Sequence, residues 1–331
     1  MLIDGIWCND TDRYMQDGAF KREPSALPAL SAREIAARPQ DNTNIVLVAS
    51  QSCPWSHRTT LVRALKGIEN ISIALAGGPR VEGYALTGSQ EIDPGAGAIR
   101  NVHQLYTATD PSYTGRATVP VLWDKGTSTI LSNSSAGIAR GLDQIGNSWR
   151  LAPDLLAGEV DAMNTRIYEG LANAVYRAGF ATAQCAYMKA TRDVFATLDW
   201  LESHLTERRC LFGTEVTEAD LFLFATLVRF DAVYLPLFRC TRRRLVEYPA
   251  LWAYARDVYS WPGIAATFDF DANLTGYFLN DTHNNPHGIV PELPDIDWTE
   301  PHGRDRLGAL NVWLDGAKVP LESITGGDRA A

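Results

Sequence analysis

Ile45-Val46-Leu47-Val48 is an unbroken apolar run rich in β-branched residues, the pattern of a short strand buried on both faces. Ser50, Gln51 and Ser52 end the run, and Cys53-Pro54 follow. Leu61, Val62 and Leu65 then recur at helical spacing. Proline suits the first helical position, where its missing N–H removes nothing, so Cys53 is expected at the start of a helix. Ile71-Ser72-Ile73-Ala74-Leu75 reads as a second strand, parallel to the first across a right-handed βαβ crossover. Residues 76–98 contain Gly77, Gly78, Gly83, Gly88, Gly95 and Gly97 but no Gly-Lys-Ser/Thr ending. They read as a long loop rather than a phosphate cradle. Ile99 to Thr107 reads as a short helix. Ala117 to Asp124 reads as a strand with Pro120 near its start, where proline is tolerated. Lys125-Gly126-Thr127-Ser128 turns the chain into Thr129-Ile130-Leu131, a hairpin. Asn133-Ser134-Ser135 offers N-cap residues for the next helix.

The pattern changes after about residue 150. Helical periodicity takes over at 156–182, 186–206, 217–235 and 245–259, and Thr217-Glu218-Ala219-Asp220 is a capping box with Val216 as a hydrophobic staple. The first half, βαβ, helix, ββ, helix, has the element order of the thioredoxin fold. In that setting Val119-Pro120 is the place for a cis peptide facing the cysteine. The expected architecture is an α/β thioredoxin-like N-terminal domain followed by an all-α C-terminal domain. Boundaries are expected at 1–43 for an irregular arm anchored by Trp7 and Phe20, 44–148 for the thioredoxin-like domain, 149–266 for the helical domain and 267–331 for a C-terminal extension. That tail reads as loop, broken by Pro286, with Tyr277 and Phe278 as its bulky pair.

Composition narrows the function classes. The chain has 331 residues, 46% of them hydrophobic and 21% charged, with a formal net charge of -9. That balance argues against a nucleic-acid partner or an anionic membrane surface. Arg239, Arg242, Arg243 and Arg244 form the one basic cluster and read as a solvated face or an anchor for neighbouring carboxylates rather than a polyanion site. The five cysteines are scattered without metal-ligand spacing, and Pro286 interrupts the pair His283 and His287, so no metal site is expected. The opening MLIDGIWCNDTD lacks the form of a signal peptide, and the apolar stretch Leu221 to Val228 is too short to span a bilayer. A reduced, cytoplasmic protein is expected.

The chemistry then centres on Cys53. A thiol at a helix N-terminus faces unpaired backbone N–H groups and the positive end of the helix dipole, both of which stabilise negative charge on sulfur. The plain alternative is a small core residue, but the sequence strand–cysteine–proline–helix favours a nucleophile. In dithiol oxidoreductases the motif's fourth position is a second cysteine; in Cys-Pro-Trp-Ser it is Ser56. A soluble thiol must therefore resolve any mixed disulfide, and glutathione is the obvious one. His57, one turn on, reads as a structural residue before a base.

The segments SCPWSHRTTLVRALKG, DPSYTGRATVPVLWDK, VYRAGFATAQ, TEADLFLFATLVRFDAVY and WPGIAATFDFD closely resemble the glutathionyl-hydroquinone reductases, the Xi-class glutathione transferases. The match runs from about residue 44 to 290. The resemblance implies that Cys53 takes the glutathionyl group from a glutathionyl-hydroquinone, and that a second glutathione frees the enzyme as glutathione disulfide. It implies that Tyr176 and Tyr277 point at the hydroquinone, and that Tyr84, Arg116, Val119, Pro120, Ser134 and Ser135 line the glutathione site. It also implies a homodimer. The chain departs from the family twice: Tyr84 stands where the family has tryptophan over glutathione, and Ser134 where it has the glutamate that receives the glutathione amino group. Two other functions fit the same cysteine: a general thiol transferase or dehydroascorbate reductase, and a ligand-binding homologue with little turnover.

Overall fold

Ile45–Ala49 is buried at every position, as an apolar run without alternation requires. In the computed structural model, which describes residues 1–9, 15–21, 25, 27–38, 44–87, 92, 99–145 and 149–325, this strand is the middle of a five-stranded sheet. Among the described residues, four two-residue strands precede it: β1 (Leu2–Ile3), β2 (Ile6–Trp7), β3 (Met15–Gln16) and β4 (Ala19–Phe20). The sheet itself comprises β5 (Ile45–Ala49), β6 (Ser72–Gly77), β7 (Ala85–Thr87), β8 (Val121–Asp124) and β9 (Thr129–Ser132), in the order β7-β6-β5-β8-β9. β5 and β6 run parallel, with Leu47 opposite Ile73. β5 and β8 run antiparallel, with Leu47 opposite Leu122, and β8 and β9 form the expected hairpin.

Four helices serve this sheet: α1 (Ala32–Ala36), α2 (Pro54–Leu65), α3 (Val102–Thr109) and α4 (Ser135–Gln144). Leu61, Val62 and Leu65 of α2 are buried, so the apolar spacing marks the packed face, each such side chain stabilising by about 1.5–3 kcal/mol. Lys66 follows α2 and pairs with Asp143 of α4 at 3.2 Å, both out of solvent. Helix α3 starts later than its apolar pattern suggests. The side-chain Oε1 of Gln104 accepts from the backbone N–H of Arg100 at 2.7 Å and of Asn101 at 3.0 Å, which holds the preceding residues outside the helix.

By its internal contacts the chain forms two units. One comprises Met1–Met15, Lys21–Gly146 and Ala266–Pro291; the other comprises Gln16–Phe20, Asn147–Ala265 and Glu292–Ala331. The second unit contains α5 (Ala157–Ile167), α6 (Ala174–Gly179), α7 (Gln184–Leu205), α8 (Glu218–Leu227) and α9 (Pro249–Tyr259). Two of its expected continuous helices contain π-helical turns, Tyr168–Ala172 between α5 and α6 and Phe230–Tyr234 after α8. Gly170 lies in the first, where a Cβ would stand 2.2 Å from Thr197 Oγ1. Asp220 caps α8, accepting from the backbone N–H groups of Leu211 and Thr217 and from the hydroxyls of Thr217 and Tyr254, each at 2.9 Å.

Three expectations about elements need correction. The arm over 1–43 is not irregular throughout, since it contains β1 to β4 and α1. The glycine-rich loop contains β7, paired with β6 from Leu75↔Thr87 to Gly77↔Ala85; residues 88–91 and 93–98 lie outside the described residues. The tail is not all loop: α10 (Phe270–Phe278) belongs to the sheet-containing unit. Further on, β11 (Asn311–Leu314) and β12 (Ala317–Pro320) form a hairpin on the strand Trp149–Arg150, designated β10. Asp315 and Gly316 make its turn at φ 50° and 81°, the left-handed pair that a two-residue hairpin turn requires. As anchors of the arm, Trp7 stacks on His103 at 5.1 Å and Phe20 meets Phe180 edge-on at 5.3 Å.

Candidate active site

Cys53 is the N-cap of α2, with extended backbone (φ −91°, ψ 116°) and Pro54 at the first helical position. The residue is 6% exposed. Its Sγ accepts from the backbone N–H of Ser56 at 3.5 Å, so the helix N-terminus is aimed at sulfur as the sequence implied. The thiol can also donate to the Val119 carbonyl at 3.4 Å, and the Val119–Pro120 bond is cis. The cysteine and the cis-proline loop, 66 residues apart in sequence, thus meet directly.

Tyr106, which is fully buried, holds that loop in place. Its hydroxyl donates to the Thr118 carbonyl at 2.9 Å and accepts from the Thr118 N–H at 3.2 Å and from Asn133 Nδ2 at 3.1 Å. Burial pushes the Tyr106 phenol up from its ordinary value. Beyond Asn133, Ser134 is the N-cap of α4: its Oγ accepts from the Gly137 N–H at 3.1 Å, and Ser135 is the first helical residue. Arg116 is exposed, with its carbonyl accepting from the Tyr113 hydroxyl at 3.3 Å.

The opposite side of the cysteine loop is covered by α10. Asn273, 1% exposed, donates from Nδ2 to the Gln51 carbonyl at 3.1 Å. The Asp269 N–H donates to Gln51 Oε1 at 3.4 Å. A Cβ on Gly276 would lie 2.7 Å from Ser52 Cβ, so helix and loop touch backbone to side chain. His57 Nε2 and Thr267 Oγ1 share a hydrogen bond of 2.8 Å. Asn280, just past the helix, donates to the carbonyls of Gly78 at 3.2 Å and Gly276 at 2.9 Å and accepts from the Arg80 N–H at 2.8 Å. Tyr277 is carried on this helix and is buried.

Tyr84 lies in the same unit, with the Arg80 guanidinium 4.1 Å from its ring centroid. Arg80 Nη2 also donates to Ser52 Oγ at 3.2 Å. Tyr176 belongs to the other unit, in an aromatic cluster with Phe180, Tyr234 and Phe238 at centroid distances of 6.0, 5.9 and 5.2 Å. Sequence reasoning did not single out Ser52, Arg80, Tyr106, Asn273, Gly276 or Asn280. Only Gly276, beside the tyrosine of Gly-Tyr-Phe, had a local signal, since a glycine within a helix often marks close backbone approach.

Two of the other thiols, Cys210 and Cys240, are fully buried. Burial, with Asp220 and Asp257 nearby, holds the Cys210 thiol well above its ordinary range. Burial pushes Cys240 up to about 12. Cys185 is exposed and Cys8 half-buried. Among the described residues there is no group of three or more His, Cys, Asp or Glu arranged to hold a metal, and no helix long and apolar enough to cross a membrane.

Comparisons with known proteins converge on one family. Residues 52–145 match the family model described as "Glutathione S-transferase, N-terminal domain", and 167–257 match "Glutathione S-transferase, C-terminal domain". The chain is 40% identical over 322 residues to the glutathionyl-hydroquinone reductase YqjG of Escherichia coli K12, covering 92% of this chain and 98% of that protein. It is 40% identical to the glutathionyl-hydroquinone reductase PcpF of Sphingobium chlorophenolicum, covering 89% and 96%. Among solved structures, the Xi-class transferase of Natrialba magadii superposes with a TM-score of 0.82 at 34% identity, over 92% of this chain and 97% of that one. Glutathione-bound YqjG superposes with a TM-score of 0.77 at 39% identity, over 92% and 99%. With a thiol held at a helix N-terminus against a cis-proline, and with relatives matched along nearly their whole length, the chain belongs to the glutathione transferase family, in the Xi class with the glutathionyl-hydroquinone reductases.

Proposed function

We propose that this protein reduces glutathionyl-hydroquinones to hydroquinones at the expense of glutathione. The observation that carries the reading is Cys53 Sγ, bonded to the Ser56 N–H and facing the Val119 carbonyl of the cis peptide. In the first half-reaction the Cys53 thiolate attacks the glutathionyl sulfur. The carbon–sulfur bond to the ring breaks, its electron pair passes to the ring carbon, and that carbon takes up a proton. Hydroquinone leaves, and Cys53 is held in a mixed disulfide with glutathione. In the second half-reaction the thiolate of another glutathione attacks that disulfide, giving glutathione disulfide and restoring Cys53. The ring carbon is reduced, its bond to sulfur replaced by a bond to hydrogen, and the glutathionyl sulfur and the thiol of one free glutathione are oxidised together to the disulfide. Ser56 at the motif's fourth position leaves the resolving thiol to come from solution.

In this reading Val119 and Pro120 align the peptide-like backbone of glutathione. Ser134, Ser135 and the free N–H groups opening α4 receive its γ-glutamyl carboxylate, with Tyr84 and Arg116 bordering the site. Tyr176 and Tyr277 are the phenolic donors for the departing quinol, since a positioned O–H can protonate developing negative charge. The protein acts as a homodimer in the cytoplasm. The test is turnover of a glutathionylated hydroquinone beside a simple glutathionyl mixed disulfide. Preference for the quinol conjugate, lost in Tyr176→Phe and Tyr277→Phe while Cys53 is still thiolated by glutathione disulfide, is the expected result. Equal or better use of the simple disulfide would make the protein a general thiol transferase.

A further inference from the structure

Arg80 is an oriented cation. Gly78, at φ 68°, bends the chain after β6, and Asn280 grips both sides of the bend through the Gly78 carbonyl and the Arg80 N–H. The side chain then lies over Tyr84, 4.1 Å from the ring centroid, and reaches Ser52 Oγ at 3.2 Å. Ser52 immediately precedes Cys53 and shares a hydrogen bond of 3.2 Å with Ser50. Arg38, Arg177, Arg209 and Arg256 each face a carboxylate. Arg80 pairs with none among the described residues. A guanidinium carries five N–H donors in a planar fork; one is used at Ser52, and the guanidinium carbon lies over the Tyr84 ring.

The sheet order gives this cation a direction. Cys53 follows β5. Val119 and Pro120 lead into β8, and Ser134 and Ser135 follow β9, all on one side of β5 in the order β7-β6-β5-β8-β9. Arg80 and Tyr84 lie between β6 and β7, on the other side. A ligand with its sulfur at Cys53 and its γ-glutamyl end at α4 extends its remaining groups toward Arg80. We propose that Arg80 is a carboxylate-recognition residue of this site, across Cys53 from α4. The fork matches a carboxylate in two parallel hydrogen bonds. That carboxylate is either the glycyl end of glutathione or an acidic substituent on the hydroquinone. The inference rests on the proposal that the site takes glutathione conjugates.

Two arms separate the sources, each run on wild type, Arg80→Ala and Arg80→Lys. The first measures thiolation of Cys53 by glutathione disulfide and by its glycyl ethyl ester, with no quinol present. The second measures turnover of glutathionyl-hydroquinone with and without a ring carboxylate. Charged hydrogen bonds at a partly exposed site correspond to a KM change of about three- to tenfold. If the glycyl end is recognised, esterification weakens wild type by that factor and leaves Arg80→Ala indifferent. If the quinol acid is recognised, wild type prefers the carboxylated conjugate by that factor and Arg80→Ala does not. Arg80→Lys should be intermediate in either case, because it keeps charge and loses the fork. Unchanged selectivity in Arg80→Ala, or equal loss toward acid and neutral forms, overturns the proposal. Failure of wild type to turn over either conjugate would count against the reductase reading and leave the first arm readable.

Discussion

Gly276→Ala separates the placement of α10 from the stability of the fold. The added Cβ would stand 2.7 Å from Ser52 Cβ and 3.0 Å from Ser52 Oγ. Carbon atoms prefer about 3.5–4.0 Å, so helix and cysteine loop must separate by about 1 Å. Overpacking of this kind costs roughly 1–3 kcal/mol, and replacing glycine by alanine within a helix returns about 0.8–1.0 kcal/mol. The net loss of stability is then at most about 2 kcal/mol, a fall in Tm of no more than about 8 °C. Catalytic geometry tolerates less, because a misplacement of about 1 Å can cost on the order of 100-fold in rate. The displaced helix carries Tyr277, one residue on. Deglutathionylation of a glutathionyl-hydroquinone should therefore fall by about 10- to 100-fold. Thiolation of Cys53 by glutathione disulfide, which needs no quinol, should fall by no more than about threefold. Stopped-flow measurement of each half-reaction, with a thermal melt, distinguishes these effects. Wild-type rates in the quinol half-reaction would refute the reasoning, as would equal losses in both.

Two further outcomes are expected. Incubation with glutathione disulfide near pH 8 should place one glutathionyl group on Cys53 by peptide mass spectrometry, and none on Cys210 or Cys240, whose buried thiols stay protonated there; Cys53→Ala should abolish turnover, and label on either buried thiol with Cys53 untouched would defeat the assignment. Ser134→Glu should tighten glutathione binding by at most about tenfold, since it restores an anion for the ammonium group at an exposed position but removes the cap to Gly137. Calorimetry at two salt concentrations should show that gain shrinking as salt rises, and weaker binding by the mutant would mean that another acid already holds the amine.

The thioredoxin-like half was legible because its signals are local. An apolar run without alternation marks β5, a proline after cysteine marks the start of α2, and Asn133-Ser134-Ser135 marks α4. The helical half was legible as helices but not as π turns, because a single extra residue per turn leaves too small a trace in the 3.6-residue period. The tail hairpin carries a local signal of its own, Asp315-Gly316 between two short apolar stretches. What local pattern could not reveal was α10 against the cysteine loop. Asn273 and Gln51 are 222 positions apart, and nothing in either stretch names the other. Arg80 is similar: its meaning comes from Ser52 and Asn280, which the chain brings to it from both directions.

The two units are interleaved in sequence, and this bears on how the protein is made. The sheet-containing unit ends its main stretch at Gly146 but takes its last segment from Ala266–Pro291. At about 5–20 residues per second, a ribosome needs on the order of 7–27 s to pass from the end of that stretch to Asn280. Throughout that interval the nascent chain has the residues of β5, Cys53 and Pro120, but not the helix that packs on Gln51 and Ser52. Maturation of the thiol's surroundings is thereby deferred until the whole helical unit has been translated. A chain stalled or cleaved before Asp269 would leave the loop that ends at Cys53 without the helix that packs on it.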